Sequence, residues 1–374
     1  MQREVEAENP SATERTFEAA SLDARILAAI DSYALEPAAF DRLACDVFAH
    51  QFRWNEPYAA FARARGVSPD CLPQTAADIP AVPAAAFKEA VLSTVGADAA
   101  QVWFETSGTT AGVGGRHYLA TPVLYEAALL AGFDRALLGD GARLRYLLLV
   151  PDARRHPHSS LGFMMDRVAG LRGDGVEGRF IDGDAFDADG LVRALDGAVA
   201  DAAAVCIAAT AFALVAALDA CAARGRRFAL PRGSRVMETG GFKGRTRVVE
   251  RRDLYAAAAD RFGIPPASIV AEYGMTELSS QYYDSLASRT RAQRVKIGPP
   301  WLRPIVVDPR GRPVAPGVVG AIRHIDCANR SSVVAIETDD LGALTCDGLI
   351  LLGRERGAEL RGCSLDAEDL AARA

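Results

Sequence analysis

Apolar positions recur along this chain with two periods, and the switch between them marks its elements. Leu22, Ile26 and Ile30 fall at helical spacing behind Ser21 as N-cap and predict an amphipathic helix, preceded by a mobile arm over residues 1 to about 18. Residues 36 to 66 keep the helical period and place Phe40, Phe48, Phe52, Trp54, Tyr58 and Phe61 in a core. The prolines of Ile79-Pro80-Ala81-Val82-Pro83 force extended backbone. Residues 121 to 138 predict a helix and Leu144 to Val150 a buried strand. From Val205 onward strand and helix patterns take turns: strand 205–209, helix 212–223, strand 235–239, helix 253–262, strand 268–272. Such alternation predicts an α/β fold with a largely parallel sheet. Beyond residue 295 short alternating runs and turns such as Asp308-Pro309-Arg310-Gly311 predict a β-rich subdomain. The expected division is an α/β core over 19–295, a β-rich part of the same core over 296–353, and a tail over 354–374.

Composition narrows the class. Half of the 374 residues are hydrophobic, enough to bury a large core, and the net charge of -6 argues against a generic nucleic-acid binder. The seven cysteines, at 45, 71, 206, 221, 327, 346 and 363, stand singly, which predicts a reduced, cytoplasmic protein without structural zinc. Glu4, Glu6 and Glu8 at the start do not suit a signal peptide. The uncharged run Ala202 to Leu218 falls short of the roughly 20 residues of a membrane span and reads as a buried strand and helix. Only Lys88, Lys243 and Lys296 are lysines among 42 Lys and Arg side chains.

Two stretches carry candidate chemistry. Phe104 to His117 holds the hydroxyls of Thr106, Ser107, Thr109 and Thr110 and four glycines, including Gly108. Glycine lets successive amides converge on an anion and hydroxyls add donors, which suits a polyphosphate; a loop rich in turn residues has the same composition. The Gly-Lys-[Ser/Thr] ending of a Walker A loop is missing. The second stretch, Ala271 to Glu277, follows an apolar run and offers Tyr273 as a base-sized face, Gly274 for close approach, Thr276 as a phosphate donor and Glu277 as a magnesium ligand. Gly240-Gly241-Phe242-Lys243 also follows a predicted strand, at the end where α/β sheets hold ligands. Gly173 to Gly178 matches a dinucleotide fingerprint as a string, but it precedes a strand, the reverse of the required order. His156 and His158, separated by proline without nearby carboxylates or thiols, read as a surface turn. The arginine-rich segments 224–235 and 245–252 read as solvated faces or a dock for an acidic partner. No Gly-x-Ser-x-Gly elbow supports a hydrolase.

Taken in chain order, the loop from Thr106 to Gly115, Gly240 to Lys243, Tyr273 to Glu277, Lys296 with Pro299-Pro300-Trp301, Thr338 to Gly342 and Arg361-Gly362-Cys363 resemble the acyl-protein synthetases of bacterial fatty-acid reductases. These belong with the phenylacetate-CoA-ligase-like branch of adenylate-forming enzymes. The resemblance implies the adenylate-forming large-domain architecture, with ATP and Mg2+ as cofactors and a carboxylic acid, a fatty acid, as substrate. It assigns Thr106, Ser107, Gly108, Thr109 and Thr110 to the ATP phosphates and Tyr273 to adenine. Gly240, Gly241, Gly274, Thr276 and Arg354 line the same site, Glu277 is a catalytic residue that holds the metal, and Asp340 holds the ribose hydroxyls. Asp339 stands where those enzymes have glycine. Related ligases continue past a Gly-Arg hinge, here Gly353-Arg354, into a lid with a catalytic lysine; 20 residues follow Arg354 here, so the lid is expected to be missing or vestigial, with Lys243 as a candidate stand-in. Cys363 is the expected acyl acceptor, and the partner an acyl-reductase, acyltransferase or carrier protein. Transfer to CoA, a carrier thiol or an amine, and a non-catalytic subunit that keeps the fold, are the alternatives.

Overall fold

The computed structural model describes residues 12–106, 114–174, 176–183, 185–240 and 250–354. Three helices open it: α1 (Ala12–Ser32), α2 (Pro37–Trp54) and α3 (Glu56–Arg63). α1 starts at Ala12, so the segment 12–18, expected as part of a mobile arm, is helical. Charge holds it where apolar contact does not: Glu14 and Glu18 pair with Arg53 of α2, and Trp54 Nε1 donates to Glu18 at 2.7 Å.

The chain continues through β1 (Val82–Pro83), the hairpin β2 (Val102–Glu105) and β3 (Arg116–Leu119), α4 (Val123–Leu137), β4 (Arg145–Leu149) and α5 (Ser160–Arg172). β5 (Val176–Arg179), the small hairpin β6 (Ile181–Asp182) and β7 (Ala185–Phe186), α6 (Ala188–Ala200), β8 (Val205–Thr210) and α7 (Ala211–Ala223) follow. Next come β9 (Arg235–Thr239), α8 (Arg251–Phe262), β10 (Ile269–Tyr273), β11 (Tyr282–Asp284) and β12 (Lys296–Ile297). β13 (Leu302–Val307), β14 (Gly320–Asp326), β15 (Ala335–Thr345) and β16 (Gly348–Arg354) complete the described chain. The expected alternation from residue 205 is observed, with small shifts at the ends.

One 12-stranded sheet carries the fold, in the order β13-β14-β15-β16-β12-β11-β10-β9-β8-β4-β5, with β1 added parallel to β15. β5, β4, β8, β9 and β10 are parallel, and every pairing from β10 through β11, β12 and β16 to β13 is antiparallel. The β-rich part therefore extends the parallel sheet rather than forming a second one. Parallel strands are covered on both faces, so their residues are apolar in both registers. Val205, Ile207 and Ala209 pack under α6, α7 and α8, while Cys206 and Ala208 face α4 and α5. α1 to α3 close a further core over Trp301, Ile325, Val334 and Ile336.

The joint between the two halves of the sheet is ionic. Lys296 Nζ lies 2.9 Å from Asp284 Oδ1 and donates to the carbonyl of Ala271 at 2.7 Å. Arg294 Nη1 donates to Asp284 Oδ2 and to Ile269 O, each at 2.7 Å, and Ala271 N donates to the same carboxylate at 2.8 Å. One wholly buried carboxylate thus ties β10, β11 and β12 together. Burial pushes the Asp284 carboxyl up, but Lys296 and Arg294 outweigh it and hold it below the usual range. Removing one partner strands the other charge in the interior. Asp284→Asn is expected to cost about 3–5 kcal/mol of folding stability, and Lys296→Met in the same background to recover part of it. Denaturant unfolding measures both; a loss below about 1 kcal/mol, the range of exposed pairs, would contradict the assignment.

Candidate functional site

The parallel strands end at Thr210, Thr239 and Tyr273, and the site is built beyond them. A Cβ at Gly274 would lie 2.4 Å from Glu272 Oε1, so a larger residue there would have to push that carboxyl aside. Residues 274–281 leave the ladder, so their buried amides and carbonyls need other partners. Asp326 Oδ2 accepts from Ser279 N at 3.0 Å and Ser280 N at 2.8 Å, while its Oδ1 accepts from the Ser280 hydroxyl at 2.9 Å. Asn329 accepts from Ser279 N at 2.8 Å and donates to Glu277 O at 2.8 Å. The backbone that carries Thr276 and Glu277 is fixed from the far end of β14.

The glycine-rich stretch is held at its two ends. Thr106 N donates to Gly115 O and Gly115 N to the Thr106 hydroxyl oxygen, both at 2.8 Å, closing the β2–β3 hairpin. A Cβ at Gly114 would meet Thr106 O at 2.6 Å. Ser107, Gly108, Thr109 and Thr110 lie outside the described residues. His117, wholly buried on β3, places Nδ1 2.8 Å from the carbonyl of Thr276. A carbonyl only accepts, so Nδ1 carries the proton. Burial keeps the ring neutral, with its pKa lowered to about 4 against the opposing pull of that bond. This contact brings the base of the hydroxyl-rich loop against the Tyr273–Glu277 turn.

A third segment joins them. Tyr273 donates its hydroxyl to Asp340 Oδ2 at 2.8 Å, and Asp340 N donates to the Thr338 hydroxyl oxygen at 3.3 Å. Asp339, in the place of the expected glycine, lies in β15 where its register against β14 shifts, between Glu337 and Leu341. Arg354 is the ladder partner of Asp340 along the backbone. Gly240 follows β9 with φ 79° and accepts from Arg251 Nη2 at 2.9 Å. Gly241, Lys243 and Cys363 lie outside the described residues. Of the other lysines, Lys296 is the buried joint described above, and Lys88 is exposed next to Phe87, whose carbonyl carbon would lie 3.1 Å from a Cβ at Gly115.

A family model described as acyl-protein synthetase, LuxE, matches residues 191–370. The chain's second half carries the acyl-protein synthetase pattern. That match takes in Gly240, Tyr273 to Glu277, Asp340, Arg354 and Cys363, with Thr106 to Gly115 outside it. The long-chain-fatty-acid–luciferin-component ligase of Aliivibrio fischeri is 23% identical over 309 residues, which make up 81% of this chain and 78% of that protein. Solved structures similar to this chain include the amide bond synthetase McbA from Marinactinospora thermotolerans (19% identity, TM-score 0.48). ATP-bound MatB from Rhodopseudomonas palustris is another (16%, 0.47). In each case 69% of this chain covers 49% of the other, so the chain spans about half the length of these solved structures. The acyl-protein synthetase resemblance read from the sequence is borne out.

Several residues of the site carry no sequence signal of their own. His117 and His324 are single polar positions in strands, and Asp326 and Asn329 read as turn residues. Glu272 and Glu238 are buried on opposite faces of the sheet just before the strand ends. Tyr255 donates to Glu238 at 2.7 Å, and the Thr239 hydroxyl donates to Glu272. Burial raises Glu272 from an ordinary value near 4.5 to about 7, with the Thr239 bond and Lys296 opposing. Across that window the folded state binds more protons than the unfolded one, so its contribution to stability falls as pH rises from about 4.5 to 7. Glu272→Gln is expected to flatten that slope and to gain stability relative to wild type as the pH climbs. Urea midpoints at several pH values measure it, and parallel curves for the two proteins would reject it.

Proposed function

We infer that this chain is an AMP-forming acid–thiol ligase: it activates a fatty acid as acyl-adenylate with ATP and Mg2+ and passes the acyl group to the thiol of Cys363. From there the acyl group goes to a reductase or other acceptor protein. The observation that carries the reading is the His117–Thr276 contact, which joins two stretches far apart in sequence at the carboxyl ends of the strands. The synthetase match over residues 191–370 and the A. fischeri ligase support the reaction class.

A carboxylate is a poor electrophile because its leaving group is an oxide. Its oxygen attacks the α-phosphorus of ATP, pyrophosphate departs, and the new mixed anhydride has AMP as leaving group. Thiolate attack on the acyl carbon then expels AMP and leaves a thioester. In the first step the protein positions the reactants and meets charge on the phosphates. Thr106, Ser107, Gly108, Thr109, Thr110, Gly240, Gly241, Gly274 and Thr276 supply that loop and strand-end environment. Lys243, immediately beyond in the chain, supplies a cation, and Tyr273 and Asp340 take the nucleoside. Glu277 is the metal ligand, and Mg2+ commonly takes one or two carboxylates together with substrate phosphates and water.

The described cysteines narrow the acceptor. Burial pushes the thiols of Cys45 and Cys206 up to about 11 and about 12, and raises Cys221 and Cys327 as well, so their thiolates are scarce at neutral pH. Cys71 and Cys346 are exposed and serve as controls. Incubation with ATP, Mg2+ and a long-chain fatty acid is expected to add one acyl mass, removable by hydroxylamine, to wild type, Cys71→Ser and Cys346→Ser but not to Cys363→Ser. Glu277→Gln is expected to lower carboxylate-dependent pyrophosphate exchange by about 10²–10³-fold. An undiminished adduct on Cys363→Ser removes Cys363 as acceptor; exchange that requires CoA or an amine, with no protein adduct, moves the function to a ligase with a soluble acceptor.

A further inference from the structure

Behind Tyr273 stands a histidine that the reaction as described does not use. His324 lies on β14, wholly buried, with Nε2 3.2 Å from the Tyr273 hydroxyl and Nδ1 3.0 Å from the hydroxyl of Tyr282, which is also wholly buried. The two tyrosines come from β10 and β11, where they are ladder partners, and their rings lie 5.8 Å apart. Each rests against the imidazole, at 5.7 Å for Tyr273 and 5.4 Å for Tyr282.

Proton counting fixes the direction of every bond. Tyr273 has one hydroxyl proton, and it goes to Asp340 Oδ2, an acceptor. Tyr273 oxygen must therefore accept from His324, which places the imidazole proton on Nε2. A neutral ring has no second proton, so Nδ1 accepts and Tyr282 donates. Burial holds the ring neutral, lowering its pKa to about 4 although Asp340 pulls the other way. The result is a one-way relay, Tyr282 to His324 to Tyr273 to Asp340, that ends on a carboxylate and orients its plane. Two side-chain torsions separate that plane from the β15 backbone, so the hydrogen bond from Tyr273 bears on it directly.

We propose that His324 is a positioning residue which, through Tyr273 and with Tyr282 behind it, sets the Asp340 carboxylate for the paired hydroxyls of a ribonucleotide and so determines the preference for ribo- over deoxyribonucleoside triphosphate. This rests on the ATP reading given above. Two vicinal hydroxyls reward a carboxylate held in one plane, because both bonds form without freezing a rotor at the moment of binding. A missing hydroxyl forfeits that pairing. A site built to hydrogen-bond a hydroxyl discriminates strongly against the analogue that lacks it.

The test measures carboxylate-dependent pyrophosphate exchange with ATP, 2′-deoxy-ATP and 3′-deoxy-ATP. In His324→Phe the ratio of kcat/KM for ATP over each deoxy analogue is expected to fall about tenfold, mainly through KM for ATP, with kcat at saturating ATP within about threefold. His324→Gln, whose amide offers one donor and one acceptor, is expected to restore most of the ratio. A merely structural role lowers the three nucleotides together and leaves the ratio where it was, which overturns the proposal. Should His324→Phe fail to fold, Tyr282→Phe removes only the distal hydroxyl: a ratio reduced in the same direction supports the relay, and an unchanged ratio overturns it. Wild type that binds no ATP defeats the underlying reading and this inference with it, whereas ATP binding with an unmoved ratio defeats this inference alone.

Discussion

Eight residues between the end of β10 and the start of β11 have no strand partner, yet most of them are buried. Each orphaned amide or carbonyl in such a place costs about 1–3 kcal/mol unless another group meets it. Here side chains from distant parts of the sequence do so: Asp326 and Asn329 for Glu277 to Ser280, and His117 for Thr276. The requirement to satisfy that stretch draws β3, β10 and β14 to one place. The loop between β2 and β3 then starts and ends beside Thr276 because its own strands are anchored there. Site assembly and backbone satisfaction are one constraint.

The electrostatics follow a similar division. At the joint of the sheet, charge is buried and fully paired: Asp284 meets a lysine, an arginine and a backbone amide. Nearer the strand ends, Glu238 Oε1 is buried with no hydrogen-bond partner among the described residues, and Glu272 has Thr239 as its side-chain donor. Burial raises both carboxyls, since a carboxylic acid is easier to keep in a low-dielectric interior than its anion. Asp284 stays ionised because two cations sit against it. Buried carboxyls thus shift in opposite directions according to how closely cations and donors meet them.

The parallel half of the sheet was legible because two-sided burial leaves an unbroken apolar run such as Val205-Cys206-Ile207-Ala208-Ala209, framed by helical spacing. The Tyr273 to Glu277 turn stood out as a string, since several candidate functions are packed into five residues. The supporting shell did not. His324 follows Arg323 in a strand, and a polar pair there reads as a solvent face; only the register that turns His324 inward between two tyrosines shows otherwise. The helical start at Ala12 was missed for a related reason. Its first turns are polar, and hydrophobic periodicity does not register helix held by ion pairs across to α2.

The scarcity of lysine acquires a physical meaning at residue 296. Its ammonium fits a pocket with one carboxylate oxygen and one carbonyl, contacts that a compact point charge reaches without a planar fork. Arg294, beside it, spreads its guanidinium over Tyr255 at 4.1 Å while reaching two acceptors, a task suited to a flat delocalised cation. The two cations are therefore not interchangeable. Lys296 is thus committed to the sheet, whereas Lys88 is exposed on a short turn next to Phe87, whose backbone packs against Gly115 at the base of the β2–β3 loop. Of the described lysines, the buried one is the one that closes the sheet.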